Sequence, residues 1–174
     1  MQRFYSAIYS ISRLAAIIAA CALVYMVGHI AYEIVLRSFF ETSTFVLDEF
    51  VGYAVMICVI WSLGYVLEQG DLIRVGLVTN RLPERVQELM SAVSALVTSA
   101  ATAGLAWMFW IRVARAYKRG TVSSSVAAVP MWIPESAMTV GLALFALAAL
   151  SYGLRHITRH PSPAPQVPLA TPVE

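Results

Sequence analysis

An all-α integral membrane protein with four transmembrane helices and a short amphipathic connector between helices two and three is the fold class this sequence predicts. Three observations predict it. Of the 174 residues, 59% are hydrophobic and only 13% charged, where soluble domains carry about a quarter charged residues. Four apolar runs, near residues 14–36, 50–67, 86–111 and 133–154, approach or exceed the about 20 residues a helix needs to cross a bilayer. No run alternates as a membrane β-strand does, and in lipid each backbone polar group must bond within its own segment, so each run is read as a helix. The net charge of +2 is too small, and too scattered among apolar runs, for a nucleic-acid partner.

The elements follow in order. Residues 1–12, MQRFYSAIYSIS, place Phe4, Ile8 and Ile11 at helical spacing and suit a short helix in the membrane interface. Residues 13–155 form the membrane domain. Span one, Leu14 to Leu36, contains IAAC at Ile18–Cys21, which resembles a lipoprotein cleavage site. A cleaved signal has an apolar stretch of about 7–15 residues ending near the cut, and here the run continues well past Cys21. Cys21 and Cys58 have no metal-ligand spacing and read as buried apolar cysteines. Span two, Phe50 to Leu67, opens on Asp48 and Glu49. Next comes EQGDLIRVGLVTNRLPE, residues 68–84. On a helix Asp71, Arg74 and Arg81 share one side and Leu72, Val75 and Leu82 another, the division an interfacial helix needs. Gly70 allows the exit from span two. Span three begins after Pro83, and span four has Pro134 in its first turn, where a missing N–H costs nothing. Residues 156–174 hold five of the eight prolines and read as an extended, disordered tail.

Charges mark the helix ends. Asp48, Glu49, Glu84 and Glu135 meet positive dipole ends, and Arg112, Arg115 and Arg119 a negative one. Trp107, Trp110 and Trp132 fit one aromatic belt. With both termini inside, the inner segments hold seven Lys/Arg and the outer five, which favours that orientation. In span three, Ala92, Ala95, Ser99, Thr102 and Ala106 recur at spacings of three and four, and span four has Ala137 and Gly141. Such small residues let helices pack closely, within the chain or against another protein.

The candidate chemistry is sparse. His29, Glu33 and Arg37 form one stripe on span one. A charge at mid-membrane signals function. Counted from Arg13 at about 1.5 Å per residue, however, Glu33 lies about 30 Å along, at the far boundary. There it pairs with Arg37 in the favourable i, i+4 order. A haem-bearing anchor subunit using His29, or a small proton-coupled exporter using Glu33, are the alternatives. His156, near the opposite interface, does not match His29 in depth. No nucleophile–base pair, metal-ligand spacing or phosphate loop appears, so no enzyme, cofactor or metal is expected. The spans lack the broken helices and polar midplane of a transporter working alone.

From Asp48 to about Gly153 the chain resembles the small, DctQ-like membrane subunit of tripartite ATP-independent periplasmic (TRAP) transporters. The resemblance rests on Asp48-Glu49; Trp61 and Gly64; GDLIRVGLVTNRLP, with Gly70, Ile73, Arg74, Val75 and Leu82-Pro83; and GTVSSSVAAVPMWIP, with Gly120, Ser123 or Ser124, Pro130 and Trp132. Leu72 and Gly76 stand where the family usually has His and Asp. The resemblance implies a bacterial inner-membrane protein with cytoplasmic termini. It implies membrane lipids and two partners: a large multi-span subunit holding the substrate and sodium sites, and a periplasmic binding protein that delivers an organic acid. The resemblance further implies that the small subunit is a scaffold that helps dock the binding protein, with Asp48, Glu49, Arg112, Arg115, Lys118, Arg119 and Trp132 facing the periplasm.

Overall fold

The computed structural model describes residues 2–69 and 83–158. They form four helices: α1 (Gln2–Phe40), α2 (Leu47–Gln69), α3 (Glu84–Arg119) and α4 (Trp132–Thr158). All four contain stretches long and apolar enough to cross a membrane. The amphipathic connector, with Gly70 and Arg74, and the proline-rich tail from residue 159 onward lie outside the described residues.

The helices outrun their apolar stretches. With 39 and 36 residues, α1 and α3 reach about 58 and 54 Å, against a hydrocarbon core of about 30 Å. Composition finds the part that lipid requires, whereas the helix continues as long as its backbone bonds do. Thus Arg112 to Arg119 are helical although polar. At the other end α1 passes through residues 12 and 13 without a break. Tyr5, Ile8, Ser12, Ala15 and Ala19 are all buried, at spacings of three and four, so one stripe packs along the whole first half of α1.

Local chemistry sets the helix ends. The carbonyl of Pro83 accepts from the N–H groups of Val86 at 2.9 Å and Gln87 at 3.2 Å. Gly120 ends α3 at φ 60°, ψ 33°, its N–H reaching the carbonyls of Ala116 and Tyr117. That left-handed conformation favours glycine, which has no Cβ to clash.

Neighbouring contacts give the spatial order α1, α2, α4, α3, with α1 also touching α4. The helices α2 and α4 run parallel: Trp61 meets Ala137, Gly64 meets Ala148, and Glu68 meets Arg155. One end of the row carries the first turn of α1 and the last turn of α4; we call it the terminal end. The opposite, loop end carries the turns at 41–46 and 120–131. Among the described residues α3 makes no interface with α1 or α2 comparable to its packing on α4. The row is therefore open, not a closed bundle.

Small residues hold the row together. Ala92, Ala95 and Ser99 of α3 are buried, and the Ser99 hydroxyl donates to the Ala146 carbonyl of α4 at 2.8 Å. The small-residue stripe of span three thus packs within the chain. A Cβ on Gly153 would lie 3.3 Å from the Ala92 carbonyl oxygen. On Gly64 it would lie 3.2 Å from the Ser12 hydroxyl and 3.3 Å from Ala148, where α1, α2 and α4 converge. Gly141 is tighter still: a Cβ there would fall 2.6 Å from the Trp61 ring. Trp61 completes the joint by donating its indole N–H to the Ala137 carbonyl at 2.9 Å. Close backbone approach of this kind drives helix association in lipid.

Outside these seams the faces are apolar and exposed, with Val24, Val27, Ile34, Val97, Leu105 and Met108 among them. Cys21 is on such a face and Cys58 is half-buried, which corrects the expectation of burial. In a membrane an apolar thiol needs no protein around it, because acyl chains serve as well.

Candidate functional site

The charged groups of the described residues gather at the two ends, and each buried one ties segments together. At the loop end Glu33, 1% exposed, closes the turn between α1 and α2. It accepts from Arg37 Nε at 3.1 Å, from the Thr44 hydroxyl at 2.7 Å and backbone N–H at 3.3 Å, and from the Ser43 hydroxyl. The turn is strained, with Glu41 at φ 49° and Phe45 at φ 58°. Such conformations persist where surrounding bonds over-determine them. The i, i+4 pair with Arg37 is present as the spacing anticipates. Ser43 and Thr44, ten and eleven residues on, are partners that spacing along a helix does not show.

A second carboxylate fastens the α3–α4 loop. Glu49 accepts from Tyr53 Oη at 2.6 Å and from the Ser125 hydroxyl, and Ser123 and Ser125 share a 2.9 Å bond. Glu49 therefore does more than meet a helix dipole: it reaches 76 residues along the chain. Asp48 beside it is exposed.

The third fastening joins α3 to α4. Arg112 lies 3.5 Å from Glu135, and Tyr117 packs edge-on against Trp132 at 5.8 Å. Arg115 donates to the Ile111 carbonyl at 3.4 Å and is exposed, as are Lys118, Arg119 and Pro130.

At the terminal end sits a pair the sequence did not reveal. Arg155 Nη2 lies 2.6 Å from Glu68 Oε2, with side chains 5% and 1% exposed. The Arg155 guanidinium also lies 5.5 Å from the Tyr152 ring, and His156 packs at 4.5 Å from that ring. Nothing in the local pattern joins Glu68 to Arg155, 87 residues apart; only the parallel packing of α2 and α4 brings them together.

Of the residues singled out from the sequence, Glu33, Arg37, Asp48, Glu49, Arg115, Arg119, Pro130 and Trp132 therefore lie at the loop end, where Glu33 and Arg37 pair directly. Trp61 stands apart, in the α2–α4 seam. His29 lies on the loop-end half of α1, 5.6 Å from Tyr25 and 6.3 Å from Phe50. His156 is at the terminal end, so these two cannot ligate one haem. The buried charged groups are thus spent on joints, while the apolar faces between them stay open.

Comparison with curated proteins and with solved structures finds no match. A family model described as tripartite ATP-independent periplasmic transporters, DctQ component, matches residues 26–159. That stretch runs from the middle of α1 to just past the end of α4. It contains the acidic start of α2, the Trp61 joint, the α3–α4 loop and the Glu68–Arg155 pair. The chain belongs to the DctQ component family of the tripartite ATP-independent periplasmic transporters.

Proposed function

We propose that this chain is the scaffold subunit of a sodium-driven TRAP transporter for organic acids. It sits in the inner membrane with both termini cytoplasmic. It steadies the large subunit, which holds the substrate and sodium sites, and its periplasmic loop end helps dock the substrate-binding protein. One observation carries the scaffold role: the buried charges Glu33, Glu68 and Arg155 are each engaged in joining segments. A carrier needs polar groups free to bind and release cargo near the midplane. An open row of helices with exposed apolar faces instead offers surface to a larger membrane partner.

Purification of the tagged chain from its native membrane in mild detergent tests this. The expected result is a stoichiometric complex with a large multi-span subunit. Recovery of the chain only as a homodimer would favour an autonomous exporter.

A further inference from the structure

We propose that the hollow at the α1–α2 turn binds a phospholipid whose headgroup carries a primary ammonium, with Arg37 holding the phosphate and Glu41 the ammonium. The site lies at the loop-end edge of the bilayer, and its chemistry is the same whichever leaflet that end faces.

The hollow, of about 370 Å³, is lined by Arg37, Glu41, Thr42, Ser43 and Phe45. Small-ligand clefts typically run from about 300 to about 1,000 Å³. Depth selects the occupant. Glu33 marks the far boundary of span one, and Arg37 stands one helical turn, about 6 Å, beyond it. The headgroup layer is about 5–7 Å thick on each side of the hydrocarbon, so the hollow opens at the level of lipid phosphates. Phe45 on its wall is 75% exposed, and Phe39 and Phe40 on the last turn of α1 are 78% and 69% exposed. Side chains on a helix lean toward its N-terminus, which at this end of α1 is the hydrocarbon side. Rings of that size are unfavourable in water, and the acyl chains of a lipid seated here cover them.

Two charges on the wall set the headgroup. Arg37 donates from Nε to Glu33 at 3.1 Å and from Nη2 to the Ser43 hydroxyl at 3.3 Å, so its guanidinium is held in place, yet its side chain is 61% exposed. Those bonds leave Nη1 for a phosphate oxygen, which a guanidinium suits. Glu41 is exposed and enters no ion pair among the described residues. It follows the last turn of α1, where the helix dipole is negative and a carboxylate is disfavoured. A primary ammonium relieves that charge by donating N–H bonds to the carboxylate. A quaternary ammonium has no N–H to give, and an anionic headgroup would bring a second negative charge toward Glu41. One cation and one anion on the same wall therefore match a zwitterion with a primary amine.

Lipid selectivity tests it. The purified full chain in detergent micelles is titrated with phosphatidylethanolamine, phosphatidylcholine or phosphatidylglycerol, and retained lipid is read by native mass spectrometry. The wild-type chain should bind phosphatidylethanolamine with a Kd at least about fivefold lower than either of the others. Glu41→Gln, which touches no joint of the fold, should remove the preference over phosphatidylcholine and leave phosphatidylcholine binding within about twofold. Arg37→Gln should weaken all three. Because Arg37 also braces Glu33, Thr42→Trp is the second check: it fills the hollow from an exposed position and should raise the phosphatidylethanolamine Kd at least about fivefold, with the melting temperature unchanged. Equal affinity of the wild-type chain for the three lipids, or a preference that survives Glu41→Gln, would overturn the proposal. A preference for phosphatidylglycerol would make the turn a basic anchor for anionic lipid and would overturn it as well.

Discussion

At the scale of single residues, Glu33 shows how depth and partners decide what an intramembrane acid does. A carboxylate alone in hydrocarbon is costly enough to imply function. This one, at the end of its span, is held by Arg37, Ser43 and Thr44. Charge-assisted bonds of this kind contribute about 1.5–3 kcal/mol each when buried. Glu33→Ala should therefore lower the melting temperature of the detergent-solubilised chain by several degrees, measured by intrinsic tryptophan fluorescence, and Glu33→Gln should lower it less. Neither should abolish uptake by the assembled transporter; if Glu33→Gln eliminates uptake while folding is intact, the acid carries protons. Half of this site could be read from the sequence. The i, i+4 spacing gives Arg37, because helix geometry fixes it. Ser43 and Thr44 depend on a strained turn that no periodicity encodes.

The seams between elements carry the next prediction. At the α2–α4 joint, Gly141→Ala would drive a methyl group into Trp61 and Ile60, whose atoms stand 2.6 and 2.7 Å from the new Cβ. Overpacking of this kind costs typically about 1–3 kcal/mol. The variant should lose thermal stability, and Trp61→Phe in the same chain should restore part of it, since the smaller ring frees the space. Equal, additive losses in the double variant would mean that the joint is not where the strain lies. At the terminal end, Glu68→Ala removes the carboxylate that Arg155 meets at 2.6 Å in a buried pair, and breaking such a pair costs about 3–5 kcal/mol. The double variant Glu68→Ala with Arg155→Ala should be more stable than Glu68→Ala alone. The element boundaries illustrate what sequence can report. Four apolar runs locate four spans, since lipid imposes that pattern on any spanning helix. Hydropathy alone passes over the turns from Arg112 to Arg119 and before Arg13, which helical spacing and the dipole ends do suggest; what the sequence does not show is that the interfacial helix and span one are a single helix. The small residues of α3 and the Ala137–Gly141 spacing mark close packing correctly. Which helix they pack against is settled by three-dimensional order alone, and so is the pairing of Glu68 with Arg155.

Across the whole molecule, the same division of labour recurs at both ends of the row. Carboxylates fasten the turns and helix ends, small residues close the middle, and the remaining surface is apolar and open. Any membrane bundle turns apolar side chains to lipid; an open row leaves more of each helix uncovered, for lipid or for a second membrane protein. This is the physical basis for reading the chain as a partner of a transport subunit, not as a carrier. The scaffold role is tested by sodium-gradient-driven uptake of labelled organic acid into proteoliposomes. These would contain the small chain alone, the large subunit alone, or both, with the substrate-binding protein outside. A scaffold gives uptake only when the large subunit is present, rising severalfold when the small chain joins it. Uptake by the small chain alone would contradict it.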